Sequence, residues 1–237
     1  MMNLVCNELL EIASPYIDNY EQYYNKIQLM VSYTEVSTGG LTIPRGYYCP
    51  SPIIDIVIGN VNRGKILKKP SKRSHITYHY GFDIQGKLVS VCKEEIEVKT
   101  KHKEFIVRNG NTELGIGFCE YKGLELEPEV TDITYCTYHG DGKIRSFTFG
   151  QYIADECHVN NVQKEDYVYS SQGLLAADVQ LYFEWKKKVS YRNSRYHFFH
   201  DENGYLTKYS VQESYGVPLN AERVRSHFYD VTVKRKI

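Results

Sequence analysis

The chain has 237 residues, of which 42% are apolar and 24% charged, and these proportions exclude disorder as its main state. Lysine plus arginine and aspartate plus glutamate each number 29, so the overall charge favours neither nucleic acid nor an anionic membrane as a partner. The 22 tyrosines suit half-buried faces of a β-sheet, because the ring packs while the hydroxyl reaches water.

The sequence has no signature of a membrane span, a leader or a metal site. No stretch approaches the roughly 20 apolar residues of a transmembrane helix, and the first residues lack a basic leader with an apolar core. The six cysteines are scattered without a CxxC pair. We therefore expect a cytoplasmic protein with reduced thiols, without a metal or other cofactor and without a membrane partner.

Residues 3–31 have helical spacing with a break in the middle. Ser14 followed by Pro15 predicts an N-cap and the first turn of a second helix. Such a helix would carry one apolar stripe, which is typical of a helix that covers a sheet; a tyrosine-lined groove for a partner is the alternative. The stripe consists of Tyr16, Tyr20, Tyr23, Tyr24, Ile27 and Met30 or Val31.

Residues 37–74 predict a connection rich in Gly, Pro, Lys and Arg. Its apolar run at 53–59 is consistent with one short buried strand. A basic run without an acid extends from Arg63 to Arg73, which is typical of a solvated loop, with contact to nucleic acid or an acidic partner as the alternative. We divide the chain into a helical segment (1–36), this connection and a sheet region (75–237), together one domain.

From residue 75 onward, short alternating segments are separated by turn signals such as Asn-Gly, Gly-Asp-Gly and Glu-Asn-Gly. In the stretch 174–185 helical spacing competes with alternation, and only 179–185 is predicted as a strand. Short hairpins join only antiparallel neighbours. The predicted fold class is therefore α+β, a predominantly antiparallel β meander with the N-terminal helices packed on the sheet.

Two hairpins share one sequence pattern. Asp83 and Asp201 each begin a turn and can accept hydrogen bonds from the amides of that turn. Gly86 and Gly204 lie three residues later, where a positive φ closes the turn. The flanking aromatic residues would meet across the strands. The two copies read YHYGFDIQGKL at 78–88 and YHFFHDENGYL at 196–206, and a looser third runs from 135 to 144.

These hairpins resemble the YD repeats of bacterial Rhs-type proteins, whose units read Tyr, a variable residue, Tyr-Asp, two variable residues, Gly and Leu. Both copies match the Asp, Gly and Leu, whereas Phe82 and His200 stand in place of the second Tyr. The copies lie 118 residues apart and not in tandem, so a YD-repeat shell is not expected. The turn pattern and the tyrosine content are also similar to bacterial immunity proteins that neutralise polymorphic toxins, which implies a cytosolic, sheet-rich antitoxin.

Three functional hypotheses follow. The first is a non-enzymatic protein-binding module that neutralises a toxin domain. The second is a hydrolase or nuclease in which His79 and Asp83 of one hairpin converge with His197 and Asp201 of the other. The third is a nucleic-acid-binding protein. The basic residues predicted as partner contacts are Arg63, Lys65, Lys68, Lys69, Lys186, Lys187, Lys188, Arg192 and Arg195.

Overall fold

The protein is one continuous antiparallel sheet with cover on both faces. The computed structural model describes residues 2–40, 43–59, 61–68, 76–95, 97, 99–121, 123, 126–185, 188–215, 225–231 and 237. In that part of the chain, thirteen strands form the sheet and two helices precede them. The predicted antiparallel meander is confirmed.

The N-terminal region forms α1 (Met2–Ile17) and α2 (Tyr20–Gln28). Pro15 lies inside α1, so the predicted helix start at Ser14 is wrong and the break falls between residues 17 and 20. Proline has no N–H to offer the carbonyl of Glu11, and the hydroxyl of Ser14 donates to that carbonyl instead at 3.1 Å. This bond occupies the carbonyl that the proline leaves free, and the helix continues to residue 17.

Each strand from β3 onward pairs with the next one in the chain, and β1 pairs with both β2 and β3. Two predictions change: the segment 1–36 is not wholly helical, because β1 begins within it, and the stretch 174–185 belongs entirely to one strand. The strands are β1 (Tyr33–Thr38), β2 (Lys65–Leu67), β3 (Ile76–Phe82), β4 (Leu88–Glu95), β5 (Thr100–Asn109), β6 (Thr112–Tyr121), β7 (Glu129–Tyr138), β8 (Ile144–Ile153), β9 (His158–Ser170), β10 (Gly173–Trp185), β11 (Lys188–His200), β12 (Leu206–Tyr215) and β13 (Arg225–Asp230).

One face of the sheet, here the helix face, is covered by α1 and α2. Leu9 of α1 is 2% exposed and belongs to the same apolar cluster as Phe105 and Ile116, which are fully buried. The ring of Tyr23 stacks on Phe105 with the centroids 6.0 Å apart. The predicted packing of the N-terminal helices on the sheet is therefore observed, and the tyrosine stripe of α2 contributes to it.

The opposite face, here the strap face, is covered by residues 39–64, which we call the strap. The strap leaves β1, crosses the sheet and returns as β2 beside β1. Its apolar run at 53–59 contains a helical turn, α3 (Ile54–Val57), and not the predicted strand. A helical turn bonds its own backbone groups, whereas a lone strand lying on a sheet face would leave them unpaired. All four residues of α3 are buried.

The two similar hairpins have the predicted turn. Oδ1 of Asp83 accepts hydrogen bonds from the amides two and four residues later, both at 2.9 Å, and Asp201 does the same at the same distances. Gly86 and Gly204 both have φ of 76°. A side chain at this φ is strained, so glycine is required for the geometry of each turn.

Candidate functional site

The two hairpins with the candidate His and Asp residues lie far apart in the sheet. His79 is on β3 and His197 is on β11, and seven strands separate them in the sheet order. At about 4.8 Å per strand, the path along the sheet is roughly 38 Å. Asp83 and Asp201 are occupied by their own turns. The hydrolase hypothesis requires the four residues to converge, but the strand order does not bring them onto neighbouring strands.

The basic candidates that the structure describes do not form one strip either. Arg63 is a structural residue of the strap, since its guanidinium donates to Asp55 at 2.9 Å and to the carbonyl of Ser51 at 2.6 Å. Arg195 forms a two-point ion pair with Asp178, at 2.6 and 2.8 Å. Lys65 and Lys68 are exposed at the other end of the sheet, and Arg192 is half-buried on the strap face. Lys69, Lys186, Lys187 and the side chain of Lys188 lie outside the described residues.

His197 lies in an open surface on the helix face, beyond the helices. The register places one residue from each of five strands side by side: Val168, Ala176, His197, Ser210 and Phe228. Neighbours in such a row have Cβ atoms about 5 Å apart. Val168 is 55% exposed and Phe228 is 63% exposed. The row is therefore apolar at both ends and polar in the middle.

A second aromatic residue and an ion pair extend this surface. Phe199 follows His197 by two positions, so it shares the same face, and it is 46% exposed. In the other direction the next row contains Asp178 paired with Arg195. We call the surface formed by these two residues, Phe199 and the five-residue row the open face. Apolar exposure beside satisfied charges is typical of a protein interface.

The strap face instead contains buried charges. Arg45 has φ of 59°, a left-handed conformation that is rare outside glycine, and is 4% exposed. Its Nε donates to Glu104 at 2.8 Å, its Nη1 to Glu113, and its Nη2 to Thr134 at 2.5 Å. Burial alone would raise the pKa of Glu113, but Arg45 and Arg108 lower it. Burial raises the pKa of Glu104 even beside Arg45.

A histidine and an aspartate meet next to this cluster. Nε2 of His102 on β5 is 2.5 Å from Oδ2 of Asp132 on β7, so the contact spans β6. It passes over Gly117, where an added Cβ would lie 2.4 Å from the carboxylate. Burial would lower the pKa of His102, but the charge and hydrogen bond of Asp132 outweigh it and raise the pKa. The absent side chain at Gly117 thus permits the pair.

The pair lies at the mouth of a cavity of about 450 Å³ between the strap and the sheet. The strap contributes Ile54 and Ile58, the sheet contributes Phe149 and Lys93, and the buried Glu104 is also part of the lining. Cavities of this size accommodate small molecules. The apolar and charged parts of the lining therefore both face space that a ligand could fill.

The thiol nearest to His102 is not an activated nucleophile. Cys119 lies opposite His102 in the register, and its sulfur contacts the Thr131 hydroxyl at 3.9 Å. Burial raises the pKa of Cys119, which disfavours the thiolate that nucleophilic chemistry needs. Among the described residues, no group of three or more His, Cys, Asp and Glu side chains could hold a metal ion.

Sequence reasoning missed His102, Asp132 and Arg45. One signal was available: Gly115 and Gly117 interrupt a strand, and glycine inside a strand often marks a close approach of other groups. An added Cβ at Gly115 would lie 1.9 Å from Glu104 and 2.4 Å from Arg45. Which groups approach could not be read from the spacing.

Comparisons with known proteins add no further identification. No protein-family model, curated protein or solved structure matches the chain. None of the described helices combines the length and the apolar character needed to cross a membrane. The open face and the strap cavity are therefore the two features of the described structure that bear on function.

Proposed function

We propose that the protein is a non-enzymatic binding module that docks a folded protein partner on the open face. More specifically, we propose an immunity factor that holds and neutralises a bacterial toxin domain. The observation that carries the proposal is the row from Val168 to Phe228, in which apolar side chains stay exposed on an otherwise well-packed sheet.

The shape and chemistry of the open face support a protein as the occupant. A sheet surface is flat and rigid, which suits a large partner better than a small molecule. Phe199 and Phe228 supply exposed aromatic rings, and the Nζ of Lys208 lies 5.0 Å from the ring centroid of Phe228. Aromatic side chains at the centre of a contact commonly contribute most of its binding energy. The Arg195–Asp178 pair would lie at the rim of this contact.

The test first asks whether a neighbouring gene encodes a toxin domain, whose absence would count against the immunity proposal, and then measures binding to that domain. Purified wild-type protein and the double variant Phe199→Ser/Phe228→Ser are titrated with that domain by calorimetry. We expect the double substitution to weaken binding by about 2 kcal/mol or more, roughly thirtyfold. Co-expression with the toxin should restore growth with the wild type and fail to do so with the variant.

Phe183→Ser is the matched control. Phe183 is 48% exposed, similar to Phe199, but it lies beside the strap on the other face of the sheet. Binding should be unchanged in this variant, and each surface substitution should alter the unfolding free energy by only about 0.5 kcal/mol. Equal loss of binding in both variants would reject the open face as the site. Absence of both binding and growth protection would reject the immunity proposal.

A further inference from the structure

The strap cavity has hydrogen-bond donors that the protein leaves unused at its mouth. Lys93 of β4 lies directly opposite His102 of β5 in the register. The ammonium of Lys93 bonds Glu95 at 2.6 Å, which occupies one of its three N–H groups. Within the described residues, Nδ1 of His102 has no hydrogen-bond partner, since Asp132 engages Nε2. Lys93 therefore keeps unused N–H groups beside a free ring nitrogen of His102, and both side chains line a space of about 450 Å³.

The acidic groups around this space are already neutralised. Arg45 bonds Glu104 and Glu113, and Asp132 accepts from His102 and from the hydroxyl of Thr131 at 2.9 Å. An anion at the mouth would thus meet donors first and paired carboxylates behind them. A cationic ligand would have to displace Arg45 or His102 from these carboxylates, at the cost of leaving a charge unpaired.

The strap and β8 give the cavity an apolar wall. Ile54 of the strap is 2% exposed, and Ile58 and Phe149 continue the apolar wall. The polar mouth and the apolar wall together match a molecule with one charged end and one hydrophobic body. Gln151 and Gln163 also line the cavity, and their amides already bond Asn161 and Glu165.

We propose that the strap cavity binds a small organic acid, with its carboxylate or phosphate on Lys93 and His102 and its apolar body against Ile54, Ile58 and Phe149. This site is separate from the open face, since it lies under the strap on the opposite side of the sheet. The raised pKa of His102 supports the assignment, because the imidazolium form makes both ring nitrogens donors.

The test compares probes that share a phenyl ring and differ in the charge of the group it carries. Benzoate and phenyl phosphate represent the two acids, and benzamide and benzamidine are the neutral and cationic analogues. Binding to the full chain is measured by calorimetry, and the His102 ring resonances are followed by ¹H–¹⁵N NMR. We expect at least one acid to bind with a Kd of about 1 mM or lower and to shift the His102 signals. Benzamide and benzamidine should bind at least about tenfold more weakly. The benzoate and phenyl phosphate arms decide which acid is preferred.

Lys93→Met and Lys101→Met form the matched pair of variants. Both lysines are half-buried and ion-paired with a glutamate, but Lys101 faces the helix side of the sheet. Lys93→Met should weaken binding of the acid about tenfold, whereas Lys101→Met should leave it unchanged and Lys93→Arg should retain it. Equal affinity for benzoate and benzamide, equal losses in the two methionine variants, or no saturable binding of either acid would overturn the proposal.

Discussion

The two faces of this sheet are covered by two different kinds of chemistry. On the helix face, α1 and α2 bury apolar side chains such as Leu9 against Phe105 and Ile116. On the strap face, the cover inserts Arg45 among Glu104 and Glu113. Both covers bury apolar side chains against the sheet, so the contrast concerns how each one satisfies its backbone groups.

A helix bonds its own backbone, but an irregular strap must find partners for its carbonyls. The hydroxyl of Tyr80 donates to the carbonyl of Arg45 at 3.1 Å, and that of Tyr78 donates to the carbonyl of Gly40 at 3.0 Å. Arg63 binds two more strap carbonyls. The polar character of the strap face therefore follows from covering a sheet with non-helical chain, and the cavity is a gap within this network.

The largest expected loss of stability comes from replacing Arg45 on the strap face. Arg45→Met leaves Glu104 and Glu113 buried with their main partner removed, and we expect a loss of about 3 to 5 kcal/mol in the free energy of unfolding. Urea denaturation measures the loss. Arg108→Met is the control, because Arg108 also pairs with Glu113 but is more exposed, and its loss should be clearly smaller. Equal losses would contradict the special role of Arg45.

On the apolar side, Leu9→Ala should cost about 2 to 5 kcal/mol, because it opens a cavity between α1 and the sheet. Leu4→Ala in the same helix is the matched control, since Leu4 is 60% exposed and should lose only about 0.5 kcal/mol. Thermal unfolding of both variants measures the difference. A similar loss in both would contradict burial of Leu9 as the source of the stabilisation, because alanine is at least as good a helix former as leucine.

The strap face should also be distinguishable by its response to pH. Burial raises the pKa of Glu165 above its ordinary value of 4.5, although Ser51, Tyr167 and Gln163 bond its carboxyl. The folded state therefore holds the proton more tightly than the unfolded state. The resulting stabilisation is complete below about pH 4.5 and is lost as the pH rises through the folded pKa.

Glu165→Gln removes this titration. As the pH rises through that window, the variant should gain stability relative to the wild type by about 1.4 kcal/mol per unit of pKa shift. Urea denaturation from about pH 4 to 8 gives the free energy of unfolding of both proteins as a function of pH. This range of about four units includes the window. Curves that stay parallel would show that Glu165 titrates alike in both states.

The smallest effect concerns the hairpins at the two ends of the sheet. Gly86→Ala and Gly204→Ala should each cost about 1 to 2 kcal/mol, because both turns need a positive φ. Gly140→Ala is the control: an added Cβ there would meet open space, and its φ lies outside the strained range. Chemical denaturation should rank Gly140→Ala well below the other two. An equal cost at all three positions would contradict the turn assignment.

Local signals in the sequence predicted the turns well because turn chemistry is local. Asp83 and Asp201 accept from amides within four residues, so the pattern alone identified them. The looser third copy shows the limit: there the residue that begins the turn is His139, and Asp141 binds the amide of Lys143 within it. The three copies share the same backbone hydrogen bonds, whereas the position of the aspartate within the turn differs in the third copy.

By itself, the sequence determined the antiparallel meander and its turns, because alternation and glycine placement act over a few residues. The route of the strap and the meeting of His102 with Asp132 were decided by the tertiary structure. These two residues lie 30 positions apart and meet over Gly117 only once β5, β6 and β7 are in register. A contact that depends on the register of three strands cannot be read from the spacing of its residues along the chain.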